Sequence, residues 1–157
     1  MDIYDLAYQM ERDAMELYQS LAAGTEHPGI RDIFTKLAED EENHADALKN
    51  LREEMKPELL SPSVQAVNTI FREIRENAPG GSLGGDLLSE LRRALEIERK
   101  GMKFYKEQFE KLDTEDGQKL FQILSGLEEH HYTTIGDLIE LVEEVDEENS
   151  RPVYPEV

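Results

Sequence analysis

The chain has 157 residues, a length that suits one domain with a sizeable core. It contains no cysteine, which excludes disulfides, zinc ribbons, iron–sulfur clusters and thiol nucleophiles. The net charge of −19 argues against a nucleic-acid partner, whose phosphates require clustered Lys and Arg, and it favours cations. Because the sequence has neither a run of about 18 apolar residues nor a signal peptide, we expect a cytoplasmic protein with no membrane partner.

Helical periodicity dominates the first third of the chain. Apolar residues recur with a 3.6-residue period from Ile3 to about Ala23, with Asp2 as a candidate N-cap and Gly24 as a stop. A second helix is predicted over about 28–56, because Pro57 cannot continue it. The two predicted helices form an antiparallel hairpin.

Further helices are predicted in the rest of the chain. A shorter helix at about 62–77 is followed by a glycine-rich joint that ends at Gly85. A third long helix is predicted over about 86–111 and a fourth over about 114–147, and the residues 149–157 form an irregular tail. No segment alternates like a strand, so the predicted class is all-α.

The two halves of the sequence repeat each other at a spacing of 87 positions. The identical pairs include Ala7/Ala94, Glu11/Glu98, Tyr18/Tyr105, Phe34/Phe121, Leu37/Leu124, Glu41/Glu128 and His44/His131. This spacing is too long for a solenoid and indicates a duplicated helical hairpin that forms a four-helix bundle. We therefore predict one domain over 1–148, with hairpins at about 2–56 and 86–147 joined by a long crossover over 57–85, which is the ferritin-like connection.

The repeated residues carry a metal-ligand pattern. In Glu41-x-x-His44 the two side chains lie one helical turn apart on one face, so both can reach one ion, and the second half repeats the pattern. Two such pairs and two further carboxylates are the ligand set of a carboxylate-bridged two-metal centre in a four-helix bundle. The predicted ligands are Glu11, Glu41, His44, Glu98, Glu128 and His131. Oxygen and imidazole donors without thiolate suit iron or manganese, and zinc would also bind.

Two tyrosines accompany these predicted ligands. Tyr18 and Tyr105 each lie two turns beyond the lone Glu of their half, on the same stripe. Their hydroxyls are predicted to orient a ligating carboxylate and to take part in catalysis without binding the metal themselves.

The pattern resembles the rubrerythrin-like branch of the ferritin-like di-iron carboxylate proteins. The matching motifs are Glu11-x6-Tyr18, Glu41-x-x-His44, Glu98-x6-Tyr105 and Glu128-x-x-His131. The resemblance implies two iron ions per chain, reduction of peroxide or O2 while Fe(II) is oxidised, and a homodimer. Rubrerythrins carry a further ligating Glu where this chain has Gly101, and they usually carry a cysteine-rich electron-donor domain. Electrons must therefore come from a separate donor protein or from Fe(II) itself.

The predicted function is a di-iron oxidoreductase of the peroxidase or ferroxidase type. Two alternatives stay open on the sequence. One is a non-enzymatic iron-binding or iron-delivery protein, favoured by Gly101 and the absent donor domain. The other is a structural bundle that has kept the ligands by ancestry.

Overall fold

The computed structural model describes residues 2–53 and 87–150. These ranges contain α1 (Ile3–Gly24), α2 (Pro28–Glu53), α3 (Leu87–Gln108) and α4 (Glu115–Ser150), with a short 3-10 turn (Phe109–Lys111) between the last two. No strand occurs in the two ranges, and the all-α prediction is confirmed. None of their helices combines the length and the apolarity needed to cross a membrane.

The helix starts follow the capping residues that the sequence offers. The carboxylate of Asp2 accepts hydrogen bonds from the backbone N–H of Tyr4 and Asp5, both at 2.9 Å, which completes a capping box for α1. Before α4, the hydroxyl of Thr114 accepts from the backbone N–H of Gly117 at 3.1 Å. Both caps lie where the sequence predicted a helix start.

The helix ends differ from the predicted ones by a few residues. The α-helical part of α3 stops at Gln108, and the chain tightens into the 3-10 turn before the buried Leu112. Helix α4 continues to Ser150, into the segment predicted as a tail, because Pro152 is the first residue that prevents a helix. The predicted crossover, including its helix at 62–77, and the residues 151–157 lie outside the described ranges.

The four helices form a ferritin-like bundle of two hairpins, α1 with α2 and α3 with α4. Two apolar clusters fill its interior. The first contains Ile3, Tyr4, Leu6, Ala7, Met10, Leu48, Phe104, Tyr105, Leu112, Phe121 and Leu124. The second contains Ala14, Met15, Tyr18, Leu21, Ala22, Phe34, Leu37, Ala38, Leu91, Ala94, Ile135, Leu138 and Ile139. Polar side chains lie between these clusters, so the apolar core is interrupted halfway along the bundle.

Candidate metal centre

The six predicted ligands come together inside the bundle. Glu11 projects from α1, Glu41 and His44 from α2, Glu98 from α3, and Glu128 and His131 from α4. Their exposed fractions lie between 0 and 5 %. Four carboxyl groups and two imidazoles therefore share a volume that is closed to water, where uncompensated charge is costly.

The side chains form two overlapping groups that could each hold a metal ion. One group contains Glu11, Glu41, His44 and Glu128, and the other contains Glu41, Glu98, Glu128 and His131. Within each group the potential ligand atoms lie within 4.8 Å of one another. Glu41 and Glu128 belong to both groups, which is the arrangement expected of carboxylates shared by two ions.

The imidazoles face the carboxylates through Nδ1. His44 Nδ1 lies 3.2 Å from Glu11 Oε2, 3.1 Å from Glu41 Oε2 and 3.1 Å from Glu128 Oε1. His131 Nδ1 lies 2.9 Å from Glu41 Oε1. The two oxygens of Glu41 therefore point to two different imidazoles, and the rings themselves stack with their centroids 5.5 Å apart.

The two tyrosines cross between the halves of the repeat. Tyr18 on α1 donates its hydroxyl hydrogen to Glu98 on α3, and Tyr105 on α3 donates to Glu11 on α1. Burial first, and then the charge of the accepting carboxylate, raises the pKa of each phenol well above its usual value. Both phenols therefore keep their protons and act as donors to the two outer carboxylates.

The aromatic rings behind the tyrosines repeat as well. Phe34 stacks on Tyr18 with ring centroids 6.1 Å apart, and Phe121 packs edge-on against Tyr105 at 5.0 Å. Both phenylalanines are fully buried. Each tyrosine is thus fixed by the phenylalanine of its own hairpin, while its hydroxyl serves the other hairpin.

The electrostatics of the cluster show carboxylates competing for positive charge. Burial, followed by the negative charge of Glu11, raises the pKa of Glu41 well above its usual value. Burial and the charges of Glu41 and Glu98 do the same to the pKa of Glu128. Burial opposes the ionised form of Glu11 too, but hydrogen bonds, including those with Glu41 and His44, lower its pKa. Protons thus take the place that cations can fill.

The imidazoles respond in the opposite way to burial. Burial alone would lower the pKa of His131, but the carboxylate of Glu98, 3.6 Å from its Nδ1, and the charge of Glu128 raise it to about 9. Burial likewise opposes protonation of His44, and the surrounding carboxylates raise its pKa further still. Metal binding at these atoms must therefore displace protons.

The donor set suits a cation. Glu98 Oε2 is buried and has no hydrogen-bond partner, although it lies 3.6 Å from His131 Nδ1. A buried carboxylate oxygen without a donor is costly unless a cation completes it. The chemistry and convergence of the six side chains therefore fit a pair of divalent ions.

One residue of the centre has a role that could not be seen in the sequence. Asp40 lies just before Glu41 on α2, and its Oδ2 is 3.0 Å from His131 Nε2. This contact joins the two hairpins, so only the packing of α2 against α4 reveals it. By contrast, Glu42 and Glu129, which directly follow the predicted ligands, are exposed and outside both groups.

Gly101 is a steric feature of the site. A Cβ added there would lie 3.1 Å from Glu128 Oε2, 3.6 Å from its Cδ and 3.7 Å from its Cγ. The carboxylate of Glu128 thus occupies the space beside the glycine. Gly101 stands where rubrerythrins carry a further ligating Glu, and in this structure the absence of a side chain there makes room for the carboxylate of Glu128.

Comparison with known proteins agrees with this architecture. The rubrerythrin family model matches residues 2–78, which include Glu11, Tyr18, Glu41 and His44. The chain is rubrerythrin-like. This rubrerythrin-like chain has no significant match among curated proteins.

Two solved structures show how widely the fold is shared. A hypothetical protein from Pyrococcus furiosus is 23 % identical with a TM-score of 0.71, and the match covers 91 % of this chain and 89 % of that one. A manganese catalase from Anabaena is 17 % identical with a TM-score of 0.67, covering 100 % of this chain and 79 % of the catalase. At these identities the likeness establishes the ferritin-like fold of the rubrerythrin-like chain.

Proposed function

We propose that this rubrerythrin-like protein is a di-iron oxidoreductase that reduces peroxide or O2 with oxidation of Fe(II). The observation that carries the proposal is the position of Glu41. Its two oxygens face His44 and His131 separately, at 3.1 and 2.9 Å, inside a cluster that excludes water. A carboxylate in that position is suited to bridge two ions.

The six side chains divide naturally between two ions. Glu11 and His44 would complete the ligands of one ion, Glu98 and His131 those of the other, and Glu41 and Glu128 would be shared. Four ionised carboxylates balance the charge of two divalent cations when both imidazoles are neutral. This balance removes the cost of burying so many acids together.

Two bound Fe(II) ions would supply one electron each, which is what one hydrogen peroxide molecule and two protons require to become two waters. The chain's own residues hold the ligands and exclude bulk water. Tyr18 and Tyr105 restrain Glu98 and Glu11 through hydrogen bonds, so the outer carboxylates keep their direction while the charge at the centre changes. The same hydroxyls are the nearest protons to these carboxylates.

The electron source is a separate question, because the chain has no cysteine for an iron–sulfur donor site. We propose that electrons come from a separate donor protein, or from Fe(II) itself in a single turnover. Manganese remains the metal to compare with iron, since oxygen and imidazole donors suit both and a structural neighbour is a manganese catalase.

The test begins with metal-free full-length protein loaded anaerobically with Fe(II) and divided between O2 and H2O2. Near-ultraviolet absorption then follows the formation of oxidised di-iron. We expect fast oxidation by one of the two oxidants, and a Mn(II)-loaded sample tested for O2 release from peroxide compares the metals.

A matched pair of variants provides the control. Glu41→Gln removes the shared carboxylate, and Glu42→Gln makes the same change at the exposed neighbour. Only Glu41→Gln should abolish oxidation. Tight iron binding with slow oxidation by both oxidants would overturn the oxidoreductase proposal and leave an iron-binding protein.

A further inference from the structure

The two halves of the metal centre differ in how their histidines are held. His131 contacts carboxylates through Nδ1 and also contacts Asp40 through Nε2, at 3.0 Å. Its side chain is 3 % exposed and that of Asp40 is 39 % exposed. The ring is thus held at both nitrogens, from the interior by Glu41 and from the rim by Asp40.

The other half of the centre lacks a carboxylate equivalent to Asp40. The position equivalent to Asp40 is occupied by Leu127, 87 residues later, which is 40 % exposed. Across the described ranges, the polar contacts of His44 all involve Nδ1, and no group lies within hydrogen-bond distance of its Nε2. The predicted ligands of the centre are therefore the same in both halves, but the residue that contacts Nε2 of the histidine is present in only one of them.

The difference has a chemical consequence. In the neutral ring, an acceptor at Nε2 favours the tautomer that carries its hydrogen there, which leaves the lone pair of Nδ1 available to a metal ion. Such an acceptor also makes the ligating nitrogen more basic, and losing it typically costs about 10- to 100-fold in metal affinity. His44 receives neither effect from the described residues.

We propose that Asp40 is a positioning residue that makes the two metal positions unequal. The position formed with Glu98 and His131 binds the first ion, and the position formed with Glu11 and His44 binds the second. This inference rests on the proposed two-metal centre and goes beyond it, because it assigns an order of filling. It also predicts a stable form with one ion per chain.

The experiment titrates metal-free full-length protein with Mn(II) and measures the stepwise affinities by electron paramagnetic resonance of the free ion. Asp40→Leu copies the residue of the other half, and Asp40→Asn keeps an oxygen acceptor. Leu127→Asp adds the missing carboxylate to the second half. All three changes lie at partly exposed positions, and circular dichroism checks that each variant is folded.

We expect Asp40→Leu to weaken the first binding step by about 10- to 100-fold and Asp40→Asn to weaken it less. Leu127→Asp should instead strengthen the second binding step and reduce the difference between the two metal affinities. Anomalous diffraction from crystals with one Mn(II) per chain should place the ion beside His131.

Three results would overturn the proposal while leaving a two-metal centre intact. The first is a first ion beside His44. The second is a pair of binding affinities that neither Asp40→Leu nor Leu127→Asp changes. The third is equal weakening of both binding steps by Asp40→Leu. Absence of stoichiometric binding in the wild type would instead overturn the proposed function itself, so the two failures are distinguishable.

Discussion

Replacing Gly101 by alanine tests whether the centre depends on the space beside α3. The added methyl carbon would stand 3.1 Å from Glu128 Oε2 and would also touch the Cδ and Cγ atoms of that side chain. Because the contact with Oε2 is closer than an ordinary van der Waals contact, the carboxylate must shift by a few tenths of an ångström. We expect metal affinity to fall by about tenfold, which corresponds to about 1.4 kcal/mol.

In the metal-free fold the same substitution adds helix stability, and the tight contact with Glu128 opposes part of that gain. Alanine stabilises a helix interior by about 1 kcal/mol relative to glycine, which is worth about 2–4 °C in a domain of this size. Gly126→Ala on α4 is the matched control, because a Cβ at Gly126 meets nothing within 4 Å. Gly126→Ala should gain helix stability in full, Gly101→Ala should gain less of it, and only Gly101→Ala should lose metal affinity.

Thermal unfolding of metal-free protein and calorimetric titration with Mn(II) provide the two measurements. Equally tight binding of Mn(II) by Gly101→Ala and Gly126→Ala would contradict this prediction. That result would mean that Glu128 moves freely or does not ligate the ion.

Three further predictions concern the predicted ligands and their surroundings. Tyr105→Phe removes the hydrogen bond to Glu11 and should weaken Mn(II) binding about tenfold in calorimetry, whereas Tyr8→Phe, at a half-buried tyrosine of α1, should not. Loading with metal at 100 times Kd should add about 2.7 kcal/mol of stability, so a chelator-insensitive melting temperature would count against a filled site. Folding raises the pKa of His131 from 6.5 to about 9 amid Glu41, Glu98 and Asp40, so the folded chain binds more protons than the unfolded chain. The stabilisation from protonated His131 is complete below pH 6.5 and is lost as the pH rises through about 9. The melting temperature of metal-free protein should therefore fall between these two pH values. A melting temperature that stays unchanged or rises would contradict this prediction.

The fold could be predicted from the sequence because each element repeats a local rule. The apolar period sets the helices, Asp2 and Thr114 provide caps, and the duplicated hairpin limits the topology. The ends of the helices are predicted less accurately, because the chain after α3 tightens into a 3-10 turn and α4 continues to Ser150.

The six residues that the structure gathers could also be named in advance, because charged side chains on an apolar stripe are conspicuous when they recur in register. What could not be predicted depends on contacts between the hairpins. Asp40 looks like any acid on α2 until His131 is placed beside it. The reach of Tyr18 to Glu98, rather than to an acid of its own half, likewise depends on how α1 and α3 pack.

The central claim is that the bundle holds two metal ions between its hairpins, and metal stoichiometry tests it most directly. Metal-free protein would be titrated anaerobically with Fe(II), and bound iron would be counted per chain beside the double variant Glu41→Gln, Glu128→Gln. The account predicts two ions per wild-type chain and loss of tight binding in the variant. Wild-type protein that binds no stoichiometric iron, or a variant that binds two ions as tightly, would contradict it.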